Sequence, residues 1–320
     1  MEESKGIVID AVITWVDGND PVHKAKMRRY LDDKIILSPK GINLRYGQIG
    51  EIEFCVKSIL KYATFIRHIY IVTDNQTPQF LKKNSSLYSK VKIIDHKDIF
   101  KNHENFLPTF NSRSIETRLY KIPGLSERFI YFNDDFFLLK KTKVEDFFIG
   151  DLPVLRGSWL RFDSDVLYKK IKNIFKKQKK EKRVGHKIAQ QKAAQILGLK
   201  KYFKFHHTPQ PLRKSTFENF YKDNQSLEVL NIKPRFRSDS QYIAQSLANH
   251  LEIKNKTSIK KNNYNLVYFQ SYKKPLFFIK NKIKRAEKNQ NKLFLCMQSL
   301  DQCPSEKLIY IKNWLQNKYE

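Results

Sequence analysis

An α/β fold organised on a mostly parallel, Rossmann-like sheet flanked by helices is predicted by three features of the 320-residue sequence. Short β-branched and apolar runs alternate with stretches of helical periodicity, the order that builds parallel sheets. Each early run stops abruptly at carboxylate or asparagine residues, and ligands of such sheets gather where strands end. A hydrophobic content of 41%, with 13% aromatics, supplies a sizeable core and excludes a disordered basic tail.

Taken in order, residues 7–16 are apolar apart from Asp10 and Thr14 and run into Asp17-Gly18-Asn19-Asp20-Pro21, a strand followed by a dense turn signal. Ile52, Cys55, Val56, Ile59 and Leu60 then recur with helical spacing over 51–62. Residues 67–73 read as a second strand closed by Asp74-Asn75, and 91–94 as a third closed by Asp95-His96. Ile115, Leu119 and Ile122 share a helix face that Pro123-Gly124 ends. The strand at 128–132 delivers Asn133-Asp134-Asp135, after which an apolar run resumes. From 165 to 201 lysines crowd a segment in which Leu167, Ile171, Ile174 and Phe175 keep helical spacing, a basic helical insertion. The tail predicts strands at 266–269 and 276–279, then a helix from Glu306 with Leu308, Ile311 and Leu315 on one face and Ser305 capping its start. No internal repeat or Gly/Ser linker divides the chain, so residues 1–320 read as one continuous unit containing that insertion.

The net charge of +29 points to anionic partners, although lysine-rich composition also arises from genome base bias. The basic segment lacks the regular aromatic interleaving of single-strand binders, and no zinc finger or RNP-type signature is present, which disfavours nucleic acid. Cys55, Cys296 and Cys303 are odd in number and lack zinc spacing, so a reducing, cytoplasmic setting is expected. The acidic start and the lack of a long apolar run leave peripheral contact with an anionic inner membrane face, through the basic helix, as the expected membrane relation.

Asp134 and Asp135 are adjacent carboxylates between core residues, and ionised groups resist such surroundings unless a positive charge joins them. A divalent cation with a phosphorylated ligand would supply it; a plain turn is the alternative. His206-His207-Thr208-Pro209 and Pro234-Arg235-Phe236-Arg237 place imidazole and guanidinium groups in restricted backbone, which suits a phosphate. On residues alone His206 competes with His207, and Arg235 with Arg237.

These motifs carry a resemblance. Asp10 through Thr14-Trp15-Val16-Asp17-Gly18-Asn19-Asp20-Pro21 resembles the first block of the Stealth proteins, bacterial capsular polysaccharide phosphotransferases related to the animal enzyme that places N-acetylglucosamine phosphate on lysosomal glycoproteins. Arg45-Tyr46 to Asn75-Gln76 is similar to the second block, Phe110-Asn111-Ser112-Arg113 to Phe137 to the third, and His207-Thr208-Pro209 with Arg237 to the fourth. Two departures are Arg113, where the family often carries His, and Leu139, where Gly is common.

The resemblance implies a GT-A-like fold and a hexose-1-phosphate transferase. Such an enzyme moves a sugar 1-phosphate from a nucleotide sugar, such as a UDP-N-acetylhexosamine, to a hydroxyl of a polysaccharide or glycolipid acceptor and releases nucleoside monophosphate. It further implies Asp10, Asp134, Asp135, His207 and Arg237 as catalytic, with Asp134 and Asp135 on Mg2+ or Mn2+. Asp17, Arg45, Asn111, Ser112, Glu116 and Asn133 would bind substrate. His207 would take the acceptor's proton near neutral pH, and Arg237 would grip the transferred phosphate. Rival readings are a metal-dependent glycosyltransferase that releases nucleoside diphosphate and a non-enzymatic polyanion-binding protein.

Overall fold

The computed structural model describes residues 7–31, 47, 49–83, 86–165 and 185–320. In chain order the elements are β1 (Ile9–Thr14), α1 (Pro21–Arg28), α2 (Glu51–Tyr62), β2 (Ile66–Thr73), α3 (Gln79–Lys83), β3 (Val91–Asp95), α4 (His96–Ile99) and α5 (Ser112–Arg118). Next come β4 (Arg128–Asn133), β5 (Phe136–Leu138), β6 (Phe148–Ile149), β7 (Leu152–Arg161), α6 (His186–Ile196), β8 (Lys201–Phe205), β9 (Gln210–Arg213), α7 (Lys214–Asp223) and α8 (Gln225–Ile232). The chain ends with α9 (Ala244–Lys254), β10 (Ile259–Lys261), β11 (Leu266–Phe269), α10 (Leu276–Lys288), β12 (Phe294–Met297) and α11 (Ser305–Tyr319).

The central sheet has the order β3-β2-β1-β4-β9, parallel except for β9. Its α/β class and mostly parallel strands are as the alternation of runs predicts. Strand β1 is buried on both faces because helices cover both, and its side chains alternate between two cores. Ile9, Ala11 and Ile13 join Ile52, Cys55, Val56 and Ile59 of α2, while Val12 joins Ile115, Phe217, Leu247 and Ala248 from the opposite layer. Tyr70 and Val72 of β2, and Phe129 and Tyr131 of β4, share the second core with Val12.

After β4 the chain leaves this sheet. Strand β5 pairs antiparallel with β12, which pairs with β11, so a small sheet built mostly from the tail stands beside the end of β4. A third sheet joins β6, β7 and β10, with β8 on β7. The β7–β8 contact requires Gly157, where a Cβ would lie 2.4 Å from the Phe203 ring and 2.6 Å from the Lys204 carbonyl oxygen.

Three expectations need correction or limits. Residues 276–279 begin a helix, because Ile279, Ile283 and Ala286 bury one face at helical spacing; a short apolar run alone does not distinguish the two states. Ser305 does not cap α11, whose N-cap is Pro304 with no side-chain hydrogen bond. Arg45 and the helical spacing over 167–175 lie outside the described residues. The described remainder of the basic segment includes α6, whose Ala189, Ala193 and Ala194 are buried and whose Gln190 side chain brackets Phe205, accepting from its N–H at 3.1 Å and donating to its carbonyl.

Asp10 is fully buried near the start of β1, remote from the strand ends that carry Asp134. Arg67 Nε and Nη2 donate to its two oxygens at 3.0 and 2.6 Å, and the His68 and Ser126 backbone N–H groups donate at 3.2 and 2.8 Å. Burial alone would raise its pKa, but these donors hold it below the usual carboxylate value. A carboxylate so fully engaged ties β1 to β2 and to the turn before β4, a structural task at the end of β1 away from Thr14.

Asp10→Asn should cost about 1–3 kcal/mol at neutral pH by leaving buried donors poorly matched. Because the folded pKa is depressed, the deficit should shrink as pH falls through the carboxylate range. Denaturation at several pH values tests this, and turnover per folded molecule should persist; loss of turnover with unchanged stability would restore a catalytic Asp10.

Candidate active site

The parallel strands β1 to β4 end on one edge, where a cleft of about 370 Å³ opens. Register sets its floor: Thr14 of β1 lies beside Asn133 of β4. Tyr131 links them, its hydroxyl 3.0 Å from Thr14 Oγ1, 2.7 Å from Asn133 Oδ1 and 3.2 Å from Glu116 Oε1. Gln245 Nε2 donates to the other Glu116 oxygen at 3.1 Å. Thus β1, β4, α5 and α9 are joined by one polar network beneath the cleft.

One wall is acidic. Asp134 and Asp135 lie in the two-residue link between β4 and β5, with Glu51 of α2 and Asp301 also lining the cleft. Both aspartates are partly exposed as residues, yet Asp135 Oδ1 is enclosed without a hydrogen-bond partner and Oδ2 faces the Cys296 thiol at 3.6 Å. Burial pushes Asp134 well above the usual carboxylate range, and the charges of Asp135 and Glu51 add to it. Burial pushes Asp135 up to about 7, against the Cys296 hydrogen bond and with Glu51. Glu51 is likewise raised by burial. These groups resist simultaneous ionisation.

Other lining residues are cationic or imidazole in character. Arg237 Nη2 donates to Ser112 Oγ at 2.8 Å, and the nearly buried Arg113 enters from the first turn of α5. Asn111 caps that helix by accepting from the Arg113 N–H at 3.2 Å and donates to the Pro234 carbonyl and Gln241 at 2.9 Å, so it shapes the wall. Glu116 is raised by burial, while Arg237, Gln245, Arg113 and Ser112 pull it down.

The competing neighbours separate clearly. Arg235 is directed away, donating to the Asn105 and Leu107 carbonyls with its guanidinium 4.8 Å from the Tyr30 ring centre; Arg237 lines the cleft. His206 and His207 both line it, but His206 packs edge-on to Tyr264 whereas His207 is stacked between Tyr268 and His186, each at 5.1 Å. Burial lowers His207 to about 4 and His186 to about 3, so both are neutral at pH 7. Burial thus holds His207 below the near-neutral range expected of it as a proton acceptor. Among the described lining residues, Arg113 and Arg237 are the permanent cations.

The remaining expected residues fall as follows. Ser112, Glu116, Asn133, Asp134, Asp135, His207 and Arg237 meet at the cleft with Asn111. Asp17 is a turn residue beside it: its Oδ1 accepts from the Asn19 N–H at 2.9 Å and its own N–H donates to Gln76. The helix cap is Asp20. Sequence reasoning missed Thr14, Tyr131, His186 and Glu51, and it missed the tail residues Gln298, Ser299 and Asp301. Ser299 has φ of +55°, a left-handed turn signal without a Gly or Asn to mark it. The departure residues are Arg113, in the cleft wall, and the buried Leu139.

Comparison with known proteins bears on these residues. Residues 8–34 match Stealth protein CR1, conserved region 1, and residues 45–154 match Stealth protein CR2, conserved region 2, which bears out the resemblance read from the motifs before residue 154; His207 and Arg237 lie beyond both matches. The chain is 45% identical over 143 residues to a capsular polysaccharide phosphotransferase (cps1A) of Actinobacillus pleuropneumoniae, covering 44% of this chain and 38% of that protein. It is 39% identical over 145 residues to the capsular polysaccharide phosphotransferase WcwK of Streptococcus pneumoniae, covering 45% and 42%. An exopolysaccharide phosphotransferase (cps2G) of Lactiplantibacillus plantarum is 41% identical over 143 residues, covering 45% and 40%. The matches thus span well under half of those relatives' length. Among solved structures, the galactosyltransferase LgtC aligns with a TM-score of 0.46 at 9% identity, over 96% of this chain and 95% of that one.

The carboxylate pair makes a prediction about stability. Without a cation, folded Asp135 retains a proton that the unfolded chain releases between its ordinary value of 3.8 and about 7, so stability falls as pH rises through that window. Asp135→Asn should melt a few degrees higher than the parent at pH 8, the difference closing towards pH 4. Parallel melting curves across that range would refute the strain assigned to this pair.

Proposed function

We propose that this chain, which carries both Stealth conserved regions along one cleft, is a hexose-1-phosphate transferase of surface-polysaccharide synthesis. It moves a sugar 1-phosphate from a nucleotide sugar, such as a UDP-N-acetylhexosamine, to a hydroxyl of a capsular or related polysaccharide or its glycolipid primer. The observation that carries the reading is that Asp134, Asp135, Arg113, Arg237 and His207 line one cleft at the ends of the parallel strands. The names of the relatives, matched over 44–45% of this chain, support the same chemistry.

The donor set fits Mg2+ or Mn2+. Asp134 and Asp135 offer hard oxygen ligands, and the unpartnered Asp135 Oδ1 is a buried acceptor in need of a cation. Among the described residues no three His, Cys, Asp or Glu side chains form a preassembled cluster, so further ligands would come from phosphate and water. When bound, such an ion neutralises diphosphate charge and the nucleotide leaving group. Its binding displaces the proton that Asp135 holds near pH 7, so affinity rises with pH.

Reaction forms a bond from the acceptor hydroxyl oxygen to the sugar-proximal phosphorus and breaks the bond from that phosphorus to the bridging oxygen of the nucleotide. The hydroxyl proton passes to an imidazole nitrogen of His207. The donor's negative charge raises that imidazole's proton affinity from its low value in the empty cleft. Arg237, oriented by Ser112, holds the non-bridging oxygens, with Arg113 supplying a second permanent charge. Asn133 and Glu116 hold the floor through Tyr131, and Arg45 and Asp17 are assigned to the donor side.

Incubation with a panel of nucleotide sugars, a divalent cation and acceptor oligosaccharide tests the reaction class. Nucleoside monophosphate and a phosphodiester-linked product are expected; diphosphate release would establish glycosyl transfer instead. His207→Ala should lower kcat by about 10²–10⁴-fold with donor affinity nearly intact, consistent with loss of general-base catalysis. Arg237→Lys retains charge without the planar fork and should also lose at least about tenfold in turnover. Loss confined to His206→Ala and Arg235→Lys would transfer both roles to those neighbours.

A further inference from the structure

The first turns of α10 carry an unusual surface. Phe277 and Phe278 are 56% and 47% exposed, and their ring centres lie 4.1 Å apart. Scattered exposed apolar residues need no explanation, but an exposed aromatic pair set among lysines does. Ile279, Ile283 and Ala286 form the buried side of the helix; helical spacing directs Phe277, Lys284 and Lys288 to the opposite side. Lys273 and Lys274 precede the helix, and Lys274 Nζ lies 5.5 Å from the Phe278 ring centre.

The charges are sorted as well as numerous. Glu287, the acid of this helix, accepts from the Trp314 indole N–H at 2.9 Å and lies 3.9 Å from Lys318 Nζ, so it is directed towards α11. Lys282 is also engaged, donating to the Tyr268 carbonyl beneath the helix. What remains outward is cationic and aromatic. Long lysine side chains can cover a bilayer surface with their stems while their ammonium groups stay at phosphate level, and exposed phenylalanines enter the acyl boundary between them.

We infer that this face of α10, centred on Phe277 and Phe278 with Lys284 and Lys288, docks on an anionic lipid bilayer. Charge complementarity selects that occupant: the aromatic pair supplies insertion and the unpaired cations supply attraction to acidic headgroups. The site is separate from the catalytic cleft but mechanically connected to it, because Lys282 is bonded to Tyr268, whose ring stacks on His207. The inference goes beyond the phosphotransferase reading and does not depend on turnover.

Flotation of the full chain with vesicles of phosphatidylcholine alone, or of phosphatidylcholine with phosphatidylglycerol, tests the inference. Binding should be confined to the phosphatidylglycerol vesicles and weaken as salt rises. Phe277→Ser combined with Phe278→Ser should lower partitioning by about tenfold or more while leaving the melting temperature and cleft activity on soluble substrate unchanged. Lys284→Gln combined with Lys288→Gln should lower it by about fivefold per removed charge and flatten the salt dependence. Parent-like binding by the phenylalanine double variant, or failure of the parent to bind anionic vesicles at low salt, would overturn the assignment. So would sedimentation showing that the aromatic pair mediates self-association and that monomers do not bind lipid.

Discussion

The burial of Asp134 and Asp135 at the end of β4 is the constraint on which the cleft depends. Strand β4 ends in the central sheet, and within two residues the chain enters a different sheet as β5. That change of partner leaves the carboxylates at a seam that neither sheet covers completely. The tail then encloses the seam: β12 pairs with β5, Cys296 contacts Asp135, and the turn after β12 brings Gln298, Ser299 and Asp301 to the cleft. Burial raises the cost of charge here, and nearby Glu51 raises it further. Ionising both carboxylates here is therefore costly unless a compensating positive charge joins them.

Asp10 shows what the same side chain does when its requirements are met. It is more deeply buried than Asp135, but both oxygens receive donors and its pKa is lowered. The two acids therefore occupy opposite thermodynamic positions. At the start of β1 a satisfied carboxylate binds strands together, while at the end of β4 an unsatisfied one leaves binding energy for a ligand. The Arg118–Glu228 pair, which also takes the Tyr120 hydroxyl, repeats the structural solution in the second core.

Much of the first half was legible because its signals are local. Buried strands of a parallel sheet are short apolar runs with polar ends, and 51–62 has an uninterrupted helical stripe; the structure places these elements within one or two residues of the expected bounds. The carboxylate pair was visible for the same reason. The ion pair of Asp10 was not legible because its partner, Arg67, lies 57 residues away in sequence, and nothing around Asp10 marks that pairing. The apolar run at 276–279 fits a strand or the first turn of a helix until the buried spacing of Ile283 and Ala286 is considered with it. The tail's contribution to the cleft was invisible because it depends on the β5–β12 register, and Tyr131 resembles any other core aromatic of its strand until Thr14, Asn133 and Glu116 converge on its hydroxyl.

The distribution of positive charge separates encounter from chemistry. The chain has a net charge of +29, yet the histidines His186 and His207 are held neutral by burial and the described cleft walls carry Arg113 and Arg237 as permanent cations. A site crowded with flexible lysines would attract phosphate without fixing its orientation, whereas planar guanidinium groups on structured backbone define directions for oxygen contacts. Lysines are instead abundant on exposed segments such as 273–288, where long-range attraction tolerates motion. The excess charge and the cleft thus answer different physical demands: surface lysines supply a diffuse positive field, and the cleft holds a few guanidinium groups fixed in direction.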